Sequence, residues 1–174
     1  DGATIDELPA DVLIGPIVLY DFSSIERGAG IAAEDIRRYE EASGIRATEG
    51  SVALIRTDHS RFWSPTESGQ AYLKDRPFVK EDAAQYLVDS GIKALGIDVG
   101  GPDRLGGSLD VHKLLLAQGV YIIESLCNLD RIRPGDRYFF LAFPLKIRHG
   151  TGSPVRAIAV SDEYLAALLG SSAR

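Results

Sequence analysis

Residues 94–124 read as strand, loop, helix, strand, and few folds accommodate that order. Ala94-Leu95-Gly96-Ile97-Asp98-Val99 is an apolar run of buried-strand length that empties into Gly100-Gly101-Pro102. Residues 109–118 carry helical spacing and stop at Gly119, and Val120-Tyr121-Ile122-Ile123-Glu124 forms the next strand. Strands joined through a helix pair in parallel, with a right-handed crossover. The unit therefore sets the class as mixed α/β.

The rest of the chain fits that class. Within the apolar stretch 12–22, which Gly15-Pro16 interrupts, Ile17-Val18-Leu19-Tyr20 is the expected strand. Residues 33–43 form a helix with Glu34 and Asp35 in its first turn and Gly44 just past its end, as the helix dipole and the usual stop signal require. Residues 51–57 are a second buried strand, and 80–90 are an amphipathic helix with Ala83, Ala84, Leu87 and Val88 on one side. Residues 138–147 read as a strand with Pro144 at an edge or bulge. Residues 155–160 give a last strand and 162–169 a short helix. Residues 58–77, with Ser64-Pro65, Ser68-Gly69 and the aromatics Phe62, Trp63 and Tyr72, lack periodicity and are long enough for a functional loop. With no repeat and no linker, residues 1–174 are expected to form a single domain.

Composition removes several function classes. Nineteen Lys and Arg against 25 Asp and Glu give a net charge of −6, the wrong sign for nucleic acid as the main partner. No apolar run approaches the ~18–20 residues of a membrane span, and no secretory leader pattern is visible. One cysteine, Cys127, excludes a disulfide framework and a Cys-based zinc cluster and fits a cytoplasmic protein. It has no base neighbour in sequence and is expected to be a buried, inert thiol. There is no Met, so Asp1 does not read as a natural start, and part of a larger protein is expected to precede it.

The residues that could carry chemistry are few. His112 lies near the apolar stripe of its helix, with Leu115 and Leu116 at i+3 and i+4, and reads either as a boundary histidine with a hydrogen-bond partner or as a ligand. Glu124, twelve residues on, shares a strand face with Val120, Ile122 and Leu126, where a carboxylate is costly unless paired or metal-bound; the alternative is a strand-end side chain in solvent. The two can meet at one edge of a parallel sheet, where such folds build sites. Asp98, at the same edge, is a site residue, a helper orienting His112, or a turn-capping Asp. Gly100, Gly101, Gly106 and Gly107 fit neither phosphate-loop spacing. His59, beside Phe62 and Trp63, either lines a substrate pocket or is a solvated loop histidine, and His149 reads as a surface turn residue.

Taken in order, Gly96-Ile97-Asp98, Val111-His112-Lys113-Leu114-Leu115, the run 119–130, Phe143-Pro144-Leu145-Lys146-Ile147 and the run 150–159 resemble the metal-dependent cyclase family, which includes bacterial kynurenine formamidase and isatin hydrolase. Residues 52–57 with Trp63, and Thr4-Ile5-Asp6-Glu7-Leu8-Pro9 with Leu13-Ile14-Gly15-Pro16, fit the same family, so the resemblance spans nearly the whole chain. It implies a mixed β-sheet flanked by helices, usually in a homodimer or higher homo-oligomer. It also implies hydrolysis of a small-molecule amide, a formamide or cyclic amide, by water activated on Zn²⁺ or Mn²⁺. His112 and Glu124 fall on the family's metal-ligand positions twelve residues apart. Asp98, His59, Phe62 and Trp63 are the expected substrate-pocket residues.

The family's HxGTHxDxPxH motif, which supplies the remaining metal ligands and the catalytic histidine, is absent from these residues. The expectation is a fold incomplete at its N-terminal side, an inactive portion of a hydrolase with no catalytic base of its own. The alternative is a metal-free homologue serving as a binding or interaction module.

Overall fold

Four strands, β1 (Ile14–Asp21), β3 (Val52–Arg56), β5 (Ala94–Ile97) and β6 (Tyr121–Ile123), run parallel in a computed structural model that describes residues 2–64 and 69–171. Two more, β7 (Tyr138–Leu141) and β8 (Ile158–Ser161), continue the sheet in antiparallel steps, giving the order β6-β5-β3-β1-β7-β8. A separate two-stranded pair joins β2 (Gly30–Ile31) to β4 (Phe78–Val79). The helices are α1 (Ala33–Ser43), the single turn α2 (Gln70–Leu73), α3 (Glu81–Asp89), α4 (Asp110–Ala117) and α5 (Asp162–Ser171). None of the described helices is long and apolar enough to cross a membrane.

The sheet is buried on both faces, and alternate residues of one strand serve different cores. Ala53 and Ile55 of β3 pack with Ile36 of α1, Ala83, Ala84 and Leu87 of α3, and Val111 and Leu115 of α4. Val52 and Leu54 point the other way, toward Leu19, Ile123, Leu126, Leu129, Ile132 and Phe140. The second face is thus closed by the chain between β6 and β7 rather than by α1, α3 or α4.

Several boundaries differ from those read in the sequence. β1 runs straight through Gly15-Pro16, because β3 starts to pair only at Ile17 and the missing Pro16 N–H forfeits no ladder bond there. The strand expected over 138–147 stops at Leu141. Beyond it Pro144 cannot donate to a ladder, and Phe143, Leu145 and Ile147 are exposed. The last strand lies at Ile158–Ser161 rather than 155–160, paired with β7. The loop expected over 58–77 holds a 3₁₀ turn at His59–Phe62, α2 and, at its border, β4, while its Pro65 and Ser68 lie outside the described residues. Cys127 is exposed, correcting the expected buried thiol: it lies beyond β6 between Ser125 and Asn128, both at positive φ, where the strand's inward alternation has ended.

Candidate metal centre

The carboxyl ends of β3, β5 and β6 carry Thr57, Asp98 and Glu124, and the first turn of α4 brings His112 to the same edge. Helix α4 begins without a capping side chain of its own, since its N-cap residue is Leu109. The orphan N–H groups are satisfied from outside by Asp103, which is almost fully buried. Asp103 accepts from the backbone N–H of Val111 at 2.8 Å through Oδ1 and from that of His112 at 3.3 Å through Oδ2. The same Oδ2 receives His112 Nδ1. One carboxylate therefore starts the helix and fixes the imidazole.

That bond determines what His112 offers. With its proton on Nδ1 the ring presents the Nε2 lone pair, and Nε2 lies 3.1 Å from Glu124 Oε1. A lone pair and a carboxylate at that distance repel unless a positive charge sits between them, either a proton on Nε2 or a metal ion. Imidazole backed by carboxylate, facing a second carboxylate, is a donor pair suited to Zn²⁺ or Mn²⁺. Gly101 makes the approach feasible: its φ is +111°, and a β-carbon there would lie 2.8 Å from Glu124 Oε1 and 3.5 Å from His112 Cε1. Among the described residues no group of three or more His, Cys, Asp or Glu side chains could hold a metal ion. The pair could supply at most part of a ligand set, and the residues present fit a metal to that extent.

Glu124 does not sit on an apolar face, as strand alternation through Val120 and Ile122 implies. β6 ends at Ile123, and the Glu124 side chain is 43% exposed. His112, 27% exposed, stands at the border of the core.

Asp98 is wholly buried, and it does not orient His112; Asp103 does. Asp98 accepts from the Thr57 N–H at 3.0 Å and the Thr57 hydroxyl at 2.6 Å, tying the loop after β3 to that after β5. Burial pushes its carboxyl above the ordinary range, and the Thr57 bonds oppose that.

His59 is buried rather than solvated, because its Nε2–H donates to the Tyr72 carbonyl at 2.8 Å and its ring packs on Phe62 and Tyr72. Phe62 lies under Arg27 and Arg61, whose guanidinium carbons stand 4.4 and 4.9 Å from the ring centre. Trp63 is exposed and meets Tyr72 edge-on, and the Tyr72 hydroxyl reaches Ser125 Oγ at 3.0 Å, next to Glu124. His112 and Glu124 border a groove of about 1320 Å³ whose lining includes none of Asp98, His59, Phe62 or Trp63. Asp98 and His59 are buried beside the pair, and Trp63 is exposed. His149 is an exposed turn residue at φ +57°, its N–H donating to Asp6.

Burial also pushes the His59 imidazole below its ordinary 6.5. The unfolded chain therefore takes up a proton near pH 6.5 that the folded chain resists, so this stability is complete above that pH and falls as the pH drops toward the folded value. Urea midpoints measured at about pH 7 and about pH 5.5 should show a smaller acid loss in His59→Gln than in the wild type. Equal losses would contradict a neutral, buried His59.

Asp103 was not apparent in the sequence. It follows the glycine pair in a loop without periodicity, seven residues before α4, and only the fold brings it back to that helix. Arg76, which donates from Nη2 to the Asp103 carbonyl at 3.1 Å, was equally hidden.

Residues 1–104 match the family model described as "Putative cyclase". A kynurenine formamidase from Bacillus cytotoxicus is 30% identical over 159 residues, covering 91% of this chain and 68% of that protein. Among solved structures, isatin hydrolase A from Labrenzia aggregata, bound to benzyl benzoate, superposes with a TM-score of 0.80 at 30% identity, over 92% of this chain and 66% of the other. A structure described as a potential metal-dependent hydrolase with cyclase activity gives 0.72 at 34% identity, over 91% and 70%. The chain spans about two thirds of the length of each relative. The family-model match covers more than half of the chain, and the chain belongs to the cyclase family.

Proposed function

We propose that the protein is a metal-dependent hydrolase of small-molecule amides, and that His112 and Glu124 are two of its metal ligands. The observation that carries this reading is the 3.1 Å approach of His112 Nε2 to Glu124 Oε1 with Asp103 fixing the imidazole from behind. Relatives named kynurenine formamidase and isatin hydrolase support the substrate class of formamides and cyclic amides. A bound Zn²⁺ or Mn²⁺ would polarise the amide carbonyl and lower the pKa of a coordinated water.

Within this chain, Asp103 holds the His112 tautomer, Gly101 leaves room for the Glu124 carboxylate, and the groove beside the pair receives the substrate. The His59 imidazole is committed to the Tyr72 carbonyl, and the backbone N–H of His149 donates to Asp6 in an exposed turn. Two ligands hold a metal weakly. Full activity is therefore expected only where a segment carrying HxGTHxDxPxH completes the set, with these 174 residues alone inactive. The exposed apolar side chains Phe139 and Ile158 on the outer strands and Leu169 on α5 support a homo-oligomer.

The test is turnover of N-formylkynurenine and isatin with added Mn²⁺ or Zn²⁺, by the protein together with a segment bearing that motif. Turnover that disappears in Glu124→Gln supports the hydrolase. A complete ligand set that binds no metal and leaves both amides intact would favour a non-catalytic binding module.

A further inference from the structure

Arg76 is 9% exposed, and among the described residues its Nε and Nη1 are the buried side-chain polar atoms that meet no hydrogen-bond partner. No carboxylate pairs with it among those residues. Only Nη2 is engaged, with the Asp103 carbonyl. A buried guanidinium with two nitrogens left without an acceptor is costly, and a ligand can supply the missing acceptor.

Its placement indicates where that ligand would sit. Nη1 is 3.1 Å from the position a β-carbon would take on Gly100 and 3.5 Å from that on Gly101, and the latter point is 2.8 Å from Glu124 Oε1. Arg76 and Glu124 thus flank the same glycine pair. Gly100 has no positive φ to demand glycine; a β-carbon there would crowd the space against Nη1, which is closed off from solvent. Over that space lies Leu73, 43% exposed, with Cδ2 3.7 Å from the Gly100 position, and Tyr72 Cε1 at 3.6 Å forms an aromatic wall.

We propose that Arg76 Nη1 is the receptor for one carboxylate oxygen of a small aromatic acid bound beside His112 and Glu124, and that Leu73 is the side chain that moves aside to admit it. Amide hydrolysis leaves a carboxylate on its product, so the inference rests on the hydrolase reading for the origin of the ligand. A monoanion suits the site better than a phosphate, because Glu124, Asp103 and Asp98 already bring negative charge to this edge.

Benzoate and its neutral counterpart benzamide are the probes, titrated into metal-free protein in EDTA by calorimetry and by the fluorescence of Trp63, the single tryptophan. Benzoate is expected to bind about tenfold or more tightly than benzamide. Arg76→Gln, checked for folding by circular dichroism, should remove the preference, and Arg76→Lys should keep part of it. Leu73→Ala should speed benzoate association and leave the preference intact. Equal binding of the two probes to the wild type, or an undiminished preference in folded Arg76→Gln, would overturn the proposal. Benzoate selectivity without amide turnover, when the protein is assayed together with a motif-bearing segment and added metal, would count against the hydrolase alone, and turnover there without selectivity against Arg76 alone.

Discussion

Asp103→Ala is expected to destabilise the protein by about 2–4 kcal/mol, measured as a fall in the urea midpoint at unchanged slope. The carboxylate satisfies two backbone N–H groups in the first turn of α4, and Leu109 cannot replace it. Losing a helix cap costs about 0.5–2 kcal/mol, and leaving a buried donor unsatisfied adds about 1–3 kcal/mol. Both donors, the N–H groups of Val111 and His112, are deprived at once, and Val111 is a core residue. The same change frees the imidazole: without an acceptor at Nδ1, His112 should show mixed tautomers by nitrogen-detected NMR instead of a proton held on Nδ1. Asp103→Asn keeps one carbonyl acceptor and should lose about half as much stability. A loss below about 0.5 kcal/mol for Asp103→Ala would mean that α4 is capped by something else.

The second large effect is expected at Gly101. At φ +111° a side chain is strained by about 1–3 kcal/mol, and the β-carbon of Gly101→Ala would fall 2.8 Å from Glu124 Oε1. Glu124 must then swing away from His112, so divalent-metal affinity should fall by about 10–100-fold, the range typical when the support of a ligand is lost. Gly44→Ala is the control: Gly44 ends α1 at φ +72° and a β-carbon there meets nothing within 4 Å. It should cost about 1 kcal/mol in stability and leave metal affinity untouched. If the two variants lowered affinity alike, the close approach at Gly101 would not be what seats Glu124.

The parts of the fold that were legible in the sequence are those governed by local periodicity and punctuation. Gly44, Gly91 and Gly119 mark helix ends whose residues the chain pattern alone locates, and the alternation in 94–124 dictates a parallel crossover. His112 and Glu124 could be singled out because chemistry-bearing side chains ended regular elements whose geometry is known. What escaped depended on contacts between distant segments. Asp103 caps a helix across a loop, so neither its spacing nor its flanking glycines reveal the role. The role of orienting His112, considered for Asp98, belongs to Asp103 because the Asp98 carboxylate is spent on Thr57, a partner 41 residues away in sequence. His59 appeared solvated because the loop around it has no period, yet α2 folds Tyr72 back over it. Cys127 appeared buried because thiols usually are, and two positive-φ residues turn the chain outward there.

Direct titration of Mn²⁺ and Zn²⁺ into the wild type, His112→Ala, Glu124→Gln and His149→Ala tests the central claim, that His112 and Glu124 form one half of a metal centre. Calorimetry should show saturable binding to the wild type, weakened at least about tenfold in His112→Ala and in Glu124→Gln, and unchanged in His149→Ala. Equal affinity in all four proteins would contradict it.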